Sequence, residues 1–182
     1  MSWDGKISPS TGFIDMAFVR RENGRIVTYS LGLSPGIAEE EIADNHPDFL
    51  AFLTPPKSEK DVDRERDRRI DAGFVFEGVY YQSRTEDREN IAGAKAAATD
   101  AITLFGAEAG NFAWQRLLDS NAPPEFRWIA ADNSTHLMDA QTAMRFGYAA
   151  LGHKQDHIFA ARKLKDMDPI PDDYASNALY WP

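Results

Sequence analysis

The sequence predicts an α+β protein: a small N-terminal β-hairpin with short helices, then a domain of two β-hairpin–helix units ending in a long helix. Three observations predict it. Phe126–Met167 reads as strand, tight turn, strand and a long capped helix. An earlier stretch, Phe74 to about Leu104, repeats that plan. Between these units and the first fifty residues stands Thr54-Pro55-Pro56, where proline cannot continue a helix and pushes the residue before it toward extended geometry. The expected organisation is a hairpin and helix module over 1–54, a charged linker helix over 55–71, the hairpin-helix domain over 72–168 and a tail over 169–182.

Phe13–Val19 and Arg25–Leu31 are rich in β-branched and aromatic residues, as strands are. Asn23-Gly24 between them tolerates the positive φ angles of a tight hairpin turn. Ile37–Ile42, with three consecutive glutamates, is expected to start a helical turn, and a second short helix is expected at Asp48–Leu53. Lys57–Asp71 then carries six charges of each sign. Helical spacing sets Glu65 one turn before Arg69 and Asp61 three residues before Arg64, pairs worth roughly 0.2–0.5 kcal/mol each. That pattern reads as a solvated connecting helix, with Val62 and Ile70 as its few anchors.

Phe74–Ser83 reads as two short strands turning at Glu77-Gly78. Thr85 is the expected N-cap of the following helix, with Glu86 and Asp87 in the first turn, where the helix dipole favours negative charge. Gly106–Pro124 is broken by glycines, asparagines and prolines, yet its Phe112, Trp114, Leu117 and Leu118 need burial. It reads as a loop with a short helix near 112–118, packing on the core or on a neighbouring subunit. In the second unit Asp132-Asn133-Ser134 turns the hairpin and Asp139 caps the long helix. Met144, Leu151 and Ile158 recur at seven, with Ala140, Gly147 or Tyr148, and Ala161 completing one stripe. Phe146 and Phe159 lie off it, so the helix is expected to meet material on two sides. Its length of roughly 40 Å exceeds what a domain of this size needs to cover its own core, which points to an assembly contact. Tyr148 and Phe159 on the helix, with Tyr180 and Trp181 in the aromatic C-terminal segment, are the expected partner-binding residues.

The 182 residues carry a net charge of −9 and no cysteine. Disulfides, thiolate metal sites and a cysteine nucleophile are therefore excluded. The acidic balance argues against an electrostatic nucleic-acid binder or a polybasic membrane contact. No basic flank followed by an apolar core opens the chain, and no apolar run approaches bilayer thickness.

His153 and His157 are four apart and share a helix face. They make half of a metal site, because zinc needs at least a third protein ligand. Two histidines on a polar or interfacial face is the favoured reading, and no metal or cofactor is expected. Asp132 and Asp139 flank one hairpin and could be the carboxylate pair of a glycan hydrolase, although turn and cap roles explain both. Phosphate loops and a Gly-x-Ser-x-Gly elbow are absent from the sequence.

Arg69–Phe74, Tyr81–Ile91, Phe126–Asn133, Met138–Thr142, His153-Lys154 and His157–Arg162 together resemble an uncharacterised domain family of bacteriophage tail and tail-fibre-associated proteins. The resemblance spans about Asp63 to Met167. More loosely, Asp44–Leu53 resembles the short segment that precedes this domain. It implies a virion-tail setting for a protein made in the host cytoplasm, and it transfers no catalytic residue. The expectation is a non-enzymatic structural component at the tail tip, baseplate or fibre attachment. Its expected partners are other tail proteins or further copies of itself in a symmetric assembly. A tail-fibre assembly chaperone absent from the mature particle, and a small envelope-glycan hydrolase, are the alternatives.

Overall fold

A computed structural model describes residues 16–182. The chain divides into two compact units, Met1–Pro56 and Lys57–Pro182.

In the first unit, β1 (Met16–Glu22), β2 (Arg25–Ser30) and β3 (Glu40–Ala43) form an antiparallel sheet in the order β2-β1-β3. A short helix, α1 (Pro47–Leu53), follows them. Asn23 and Gly24 take φ values of 53° and 78°, the double left-handed turn that matches strand twist. Part of the strand expected at Phe13–Val19, Phe13 to Asp15, lies outside the described residues. The helical turn expected at Ile37–Ile42 is corrected to β3. Ile42 points into the core beside Ala17, while Glu40 pairs with Arg21, which also holds Asp48. Charged residues suit this edge strand, which β1 alone pairs. Ala17, Val19, Ile26, Ile42 and Phe49 close the core.

The second unit opens with α2 (Glu59–Ala72), started by a capping box in which Ser58 and Asp61 satisfy each other's backbone N–H groups. Gly73 ends it at φ 124°. A Cβ there would lie 2.4 Å from the Tyr81 carbonyl oxygen, so only glycine lets the strands that follow fold back this closely. The first hairpin is β4 (Phe74–Phe76) and β5 (Val79–Tyr81), turning at Glu77 and Gly78 with positive φ, and α3 (Thr85–Phe105) follows. Thr85 is the first helical residue and not the cap; Arg84 holds that place, its N–H donating to Asp87. The second hairpin is β6 (Arg127–Ile129) and β7 (Thr135–Leu137), followed by α4 (Ala140–Lys165).

Both hairpins meet at Phe146. Its ring lies 4.7 Å from Tyr81, 5.3 Å from Phe76 and Trp128, and 5.4 Å from Phe74. A backbone bond from Ala131 to the Tyr80 carbonyl ties hairpin to hairpin. The segment between α3 and β6 packs onto this core: Trp114, in a short 3-10 turn over Trp114–Leu117, is wholly buried. Its indole N–H donates to the Met138 carbonyl at 3.1 Å, so a large apolar side chain enters without an unpaired polar atom.

Two expectations for the second unit are corrected. The charged stretch is part of the second unit and not a separate linker: the expected anchors Val62 and Ile70 are buried, Val62 packing with Ala160, Ala161 and Leu164 of α4, and Asp63 pairs with Lys165. The C-terminal segment also docks, since Trp181 joins the same cluster with Ile170, Tyr174 and Tyr180 around it. These contacts explain the length of α4 within the chain itself. Its first half covers the hairpins and α3, and its second half covers α2 and residues 170–181.

The stripe assigned to α4 is corrected as well. The buried side runs Ala140, Ala143, Phe146, Gly147, Ala150, His157, Ala160, Ala161, Leu164, and Leu151 and Ile158 face outward. Small residues win the inner face because the neighbouring helix comes very close: a Cβ on Gly147 would sit 2.6 Å from Cβ of Lys95 on α3.

Candidate interaction surface

Asp139 caps α4 as expected, one carboxylate oxygen accepting from Thr142 N at 2.7 Å. The other oxygen accepts from Gly110 N at 2.7 Å, which ties down the loop after α3. These bonds hold its carboxyl below the usual range against the opposing effect of burial. Asp132 is exposed in the second hairpin's turn and accepts from both the N–H and the hydroxyl of Ser134. The same hydroxyl lies 2.8 Å from His136 Nε2. Serine therefore sits between the carboxylate and the imidazole, and a nucleophile–base–orienter arrangement needs the imidazole in the middle. The sequence reading missed this network, and the Ser-x-His spacing at a turn was the signal available for it.

His153 and His157 come together, their ring centroids 4.5 Å apart. His157 Nδ1–H donates to the His153 carbonyl at 2.8 Å, and His153 Nε2–H reaches the Ile70 carbonyl at 3.3 Å. That second bond satisfies a carbonyl in the last turn of α2, which has no partner within its own helix. The His153 ring lies over Phe74, and that of His157 over Trp181. Burial, reinforced by the neighbouring His157, holds the His153 pKa below its ordinary value. Among the described residues no set of three or more His, Cys, Asp or Glu could hold a metal ion. The pair works as packing between α2, α4 and the C-terminal segment.

Of the four residues expected to meet partners, Trp181 is corrected. It is 6% exposed, its indole N–H donates to the Tyr174 carbonyl at 2.7 Å, and the Arg69 guanidinium lies 4.9 Å from its ring centre. A side chain engaged on every side within its own chain is an internal anchor. Tyr180 is half-buried beside it.

Tyr148 and Phe159 remain outward, 55% and 64% exposed, and between them Leu151 and Ile158 are 46% and 40% exposed. Tyr148 and Phe159 lie on the side of α4 opposite its buried stripe, and Leu151 and Ile158 lie along the edge of that stripe, in line with Ala140 and Gly147. One face of the Tyr148 ring carries the Lys95 ammonium 3.9 Å from its centre, which fixes the ring's orientation. Toward the end of α4, Phe159, Met167, Leu179, Tyr180 and Trp181 line a shallow groove. An exposed apolar stripe continuing into a groove is the kind of surface that meets another protein.

No curated protein and no solved structure matches the chain. Residues 56–177 match the family described as Domain of unknown function (DUF4376); that match covers most of the chain and nearly the whole second unit, and the chain belongs to this family.

Proposed function

We propose that this protein is a structural component of a bacteriophage tail, at the tip, baseplate or fibre attachment, and that it acts through protein–protein contacts without catalysing a reaction. The contact role rests on one observation, the outward apolar stripe of Tyr148, Leu151, Ile158 and Phe159 on a helix whose other side is locked into the core. The tail setting rests on the resemblance of residues 63–167 to tail and tail-fibre-associated domains. In this reading the chain is made in the host cytoplasm and resides in the particle. The docked histidines, the capping Asp139 and the turn-bound Asp132 serve the architecture that presents the stripe.

The test is mass spectrometry of purified particles from cells expressing the protein, with a Leu151→Glu/Phe159→Glu variant in parallel. Both positions are exposed, so the variant is expected to fold. The expected result is wild-type chain in the particle and at least a tenfold depletion of the variant, as about 1.4 kcal/mol or more of lost contact energy requires. A wild-type chain made during infection but missing from the particle overturns the reading and fits an assembly chaperone.

A further inference from the structure

We infer that the outward face of α4 between Tyr148 and Arg162 binds the same face of a second copy of this chain, antiparallel, about a two-fold axis through Gln155. The inference rests on the reading of the domain as an assembly component and names the partner of its exposed stripe.

The pattern of the face carries it. Successive residues turn by about 100° around a helix, so residues seven apart fall nearly in line. Tyr148, Gln155 and Arg162 form the central row, Leu151 and Ile158 flank it on one side, and Gly152 and Phe159 flank it on the other. An antiparallel two-fold through Gln155 keeps each flank facing its own copy. Leu151 then meets Ile158 of the second copy on one flank, and Phe159 meets Gly152 of the second copy on the other. These contacts are complementary in size. Gly152 leaves open space on the surface, since a Cβ there would meet nothing within 4 Å, and Phe159 is the most exposed side chain of the stripe.

The polar groups are complementary too. The Arg162 guanidinium, paired with Asp166 of its own chain, falls opposite the second copy's Tyr148 ring, one face of which holds Lys95, and a cation over the other face is attractive. Gln155 meets itself, and an amide carries both donors and acceptors, so two can pair reciprocally. Lys154 and Asp156 lie about a quarter-turn to either side, at the rim, where water screens them. Each of the two meets its own like charge across the rim, and the central row itself pairs no like charges. With the rim included, burying this face removes on the order of 1,000–1,400 Å² from the two copies, at the small end of specific interfaces and in keeping with a weak dimer. The spacing is common to every helix, so what points to a second copy is the match of residue types, above all Phe159 against the open surface at Gly152.

The chain has no cysteine, so Gln155→Cys introduces a single thiol on the proposed axis. A disulfide requires Cα atoms about 4.4–6.8 Å apart, and on this axis alone the thiol meets its own copy. Sedimentation equilibrium of the full chain is expected to show a dimer at about 100 μM. Leu151→Glu/Phe159→Glu is expected to sediment as a monomer with an unchanged circular dichroism spectrum. Mild oxidation is expected to convert Gln155→Cys to a covalent dimer about tenfold faster than Glu89→Cys on exposed α3, through the raised effective concentration of the thiols. A chain that is monomeric at every concentration overturns the inference, as do equal oxidation rates for the two cysteine variants. If such a monomer were still incorporated into particles, the tail reading would stand and only the two-fold contact would fall. A dimer missing from particles would do the reverse.

Discussion

The two halves of α4 are built differently. From Ala140 to Ala150 the helix covers a core of large rings, with Phe146 in contact distance of Phe74, Phe76, Tyr81 and Trp128. From His153 to Leu164 it covers a smaller cluster of Val62, Ala160, Ala161, Leu164 and Trp181. Two histidines and an arginine are packed among those apolar groups. The first half is held by elements within the hairpin-helix plan. The second depends on segments outside it, a highly charged helix and the last fifteen residues. One continuous helix thus joins an aromatic core to a clasp of lower apolar content, and local stability need not be uniform along it.

Phe146→Ala should break the first half and, with it, the whole second unit. It deletes the side chain in which both hairpins meet, at a cost of about 3–5 kcal/mol. Urea unfolding followed by tryptophan fluorescence measures this; a loss under about 1 kcal/mol would mean the hairpins pack without it. Trp181→Ala should cost less, at the lower end of about 3 kcal/mol, and should act locally. Hydrogen exchange is expected to speed up in residues 168–182, α2 and the second half of α4, while Ala140–Ala150 stays protected. Equal acceleration in both halves would show a single cooperative unit.

Acid should separate the halves next. His153 has a folded-state pKa held below its ordinary 6.5 by burial and by His157, against the Ile70 carbonyl that favours the charged ring. The unfolded chain therefore takes up the proton first as pH falls. Stability is complete above pH 6.5 and declines as pH drops below it and through the folded value. The loss is expected in the second half of α4, and His153→Gln, which cannot titrate, should flatten that slope. A slope unchanged in the variant would assign the acid response to other groups.

The legible parts of this architecture are those encoded locally. Asn23-Gly24 and Glu77-Gly78 supply positive φ, Asp139 caps a helix, and Glu65 reaches Arg69 one turn away. The illegible parts depend on what lies across the fold. Three glutamates favour a helix on paper, yet exposed Glu41 and buried Ile42 face opposite sides of a strand laid beside β1. Leu151 and Ile158 look like core because they are large, but in α4 closeness of approach decides the inner face, and Ala143, Gly147 and Ala150 take it. Trp181 looks like an anchor for another protein because nothing near it in sequence says that α2 will present Arg69 beneath its ring. Tyr148 and Phe159 kept their outward places because both residues stand opposite the small-residue stripe.

Two glycines five residues apart on α4 make the smallest and sharpest test of that argument. Replacing a mid-helix glycine with alanine gains up to about 1 kcal/mol from the lower entropy of the unfolded chain. At Gly152 nothing within the single chain opposes the gain, because the added Cβ meets open space there, and titration at low micromolar concentration reads that chain as a monomer. At Gly147 the same Cβ would lie 2.6, 2.7 and 2.8 Å from Cβ, Cγ and Cδ of Lys95. The stem of Lys95 cannot easily step aside, since its ammonium is held over Tyr148 and its Cβ moves only with α3. Overpacking of this kind costs about 1–3 kcal/mol, so Gly147→Ala should be net destabilising by about 1 kcal/mol while Gly152→Ala raises the unfolding midpoint. Opposite signs in parallel urea titrations are the expected result. If both substitutions stabilise, α3 and α4 are not in the close contact that gives small residues the inner face, and the explanation for the displaced leucine and isoleucine falls with it.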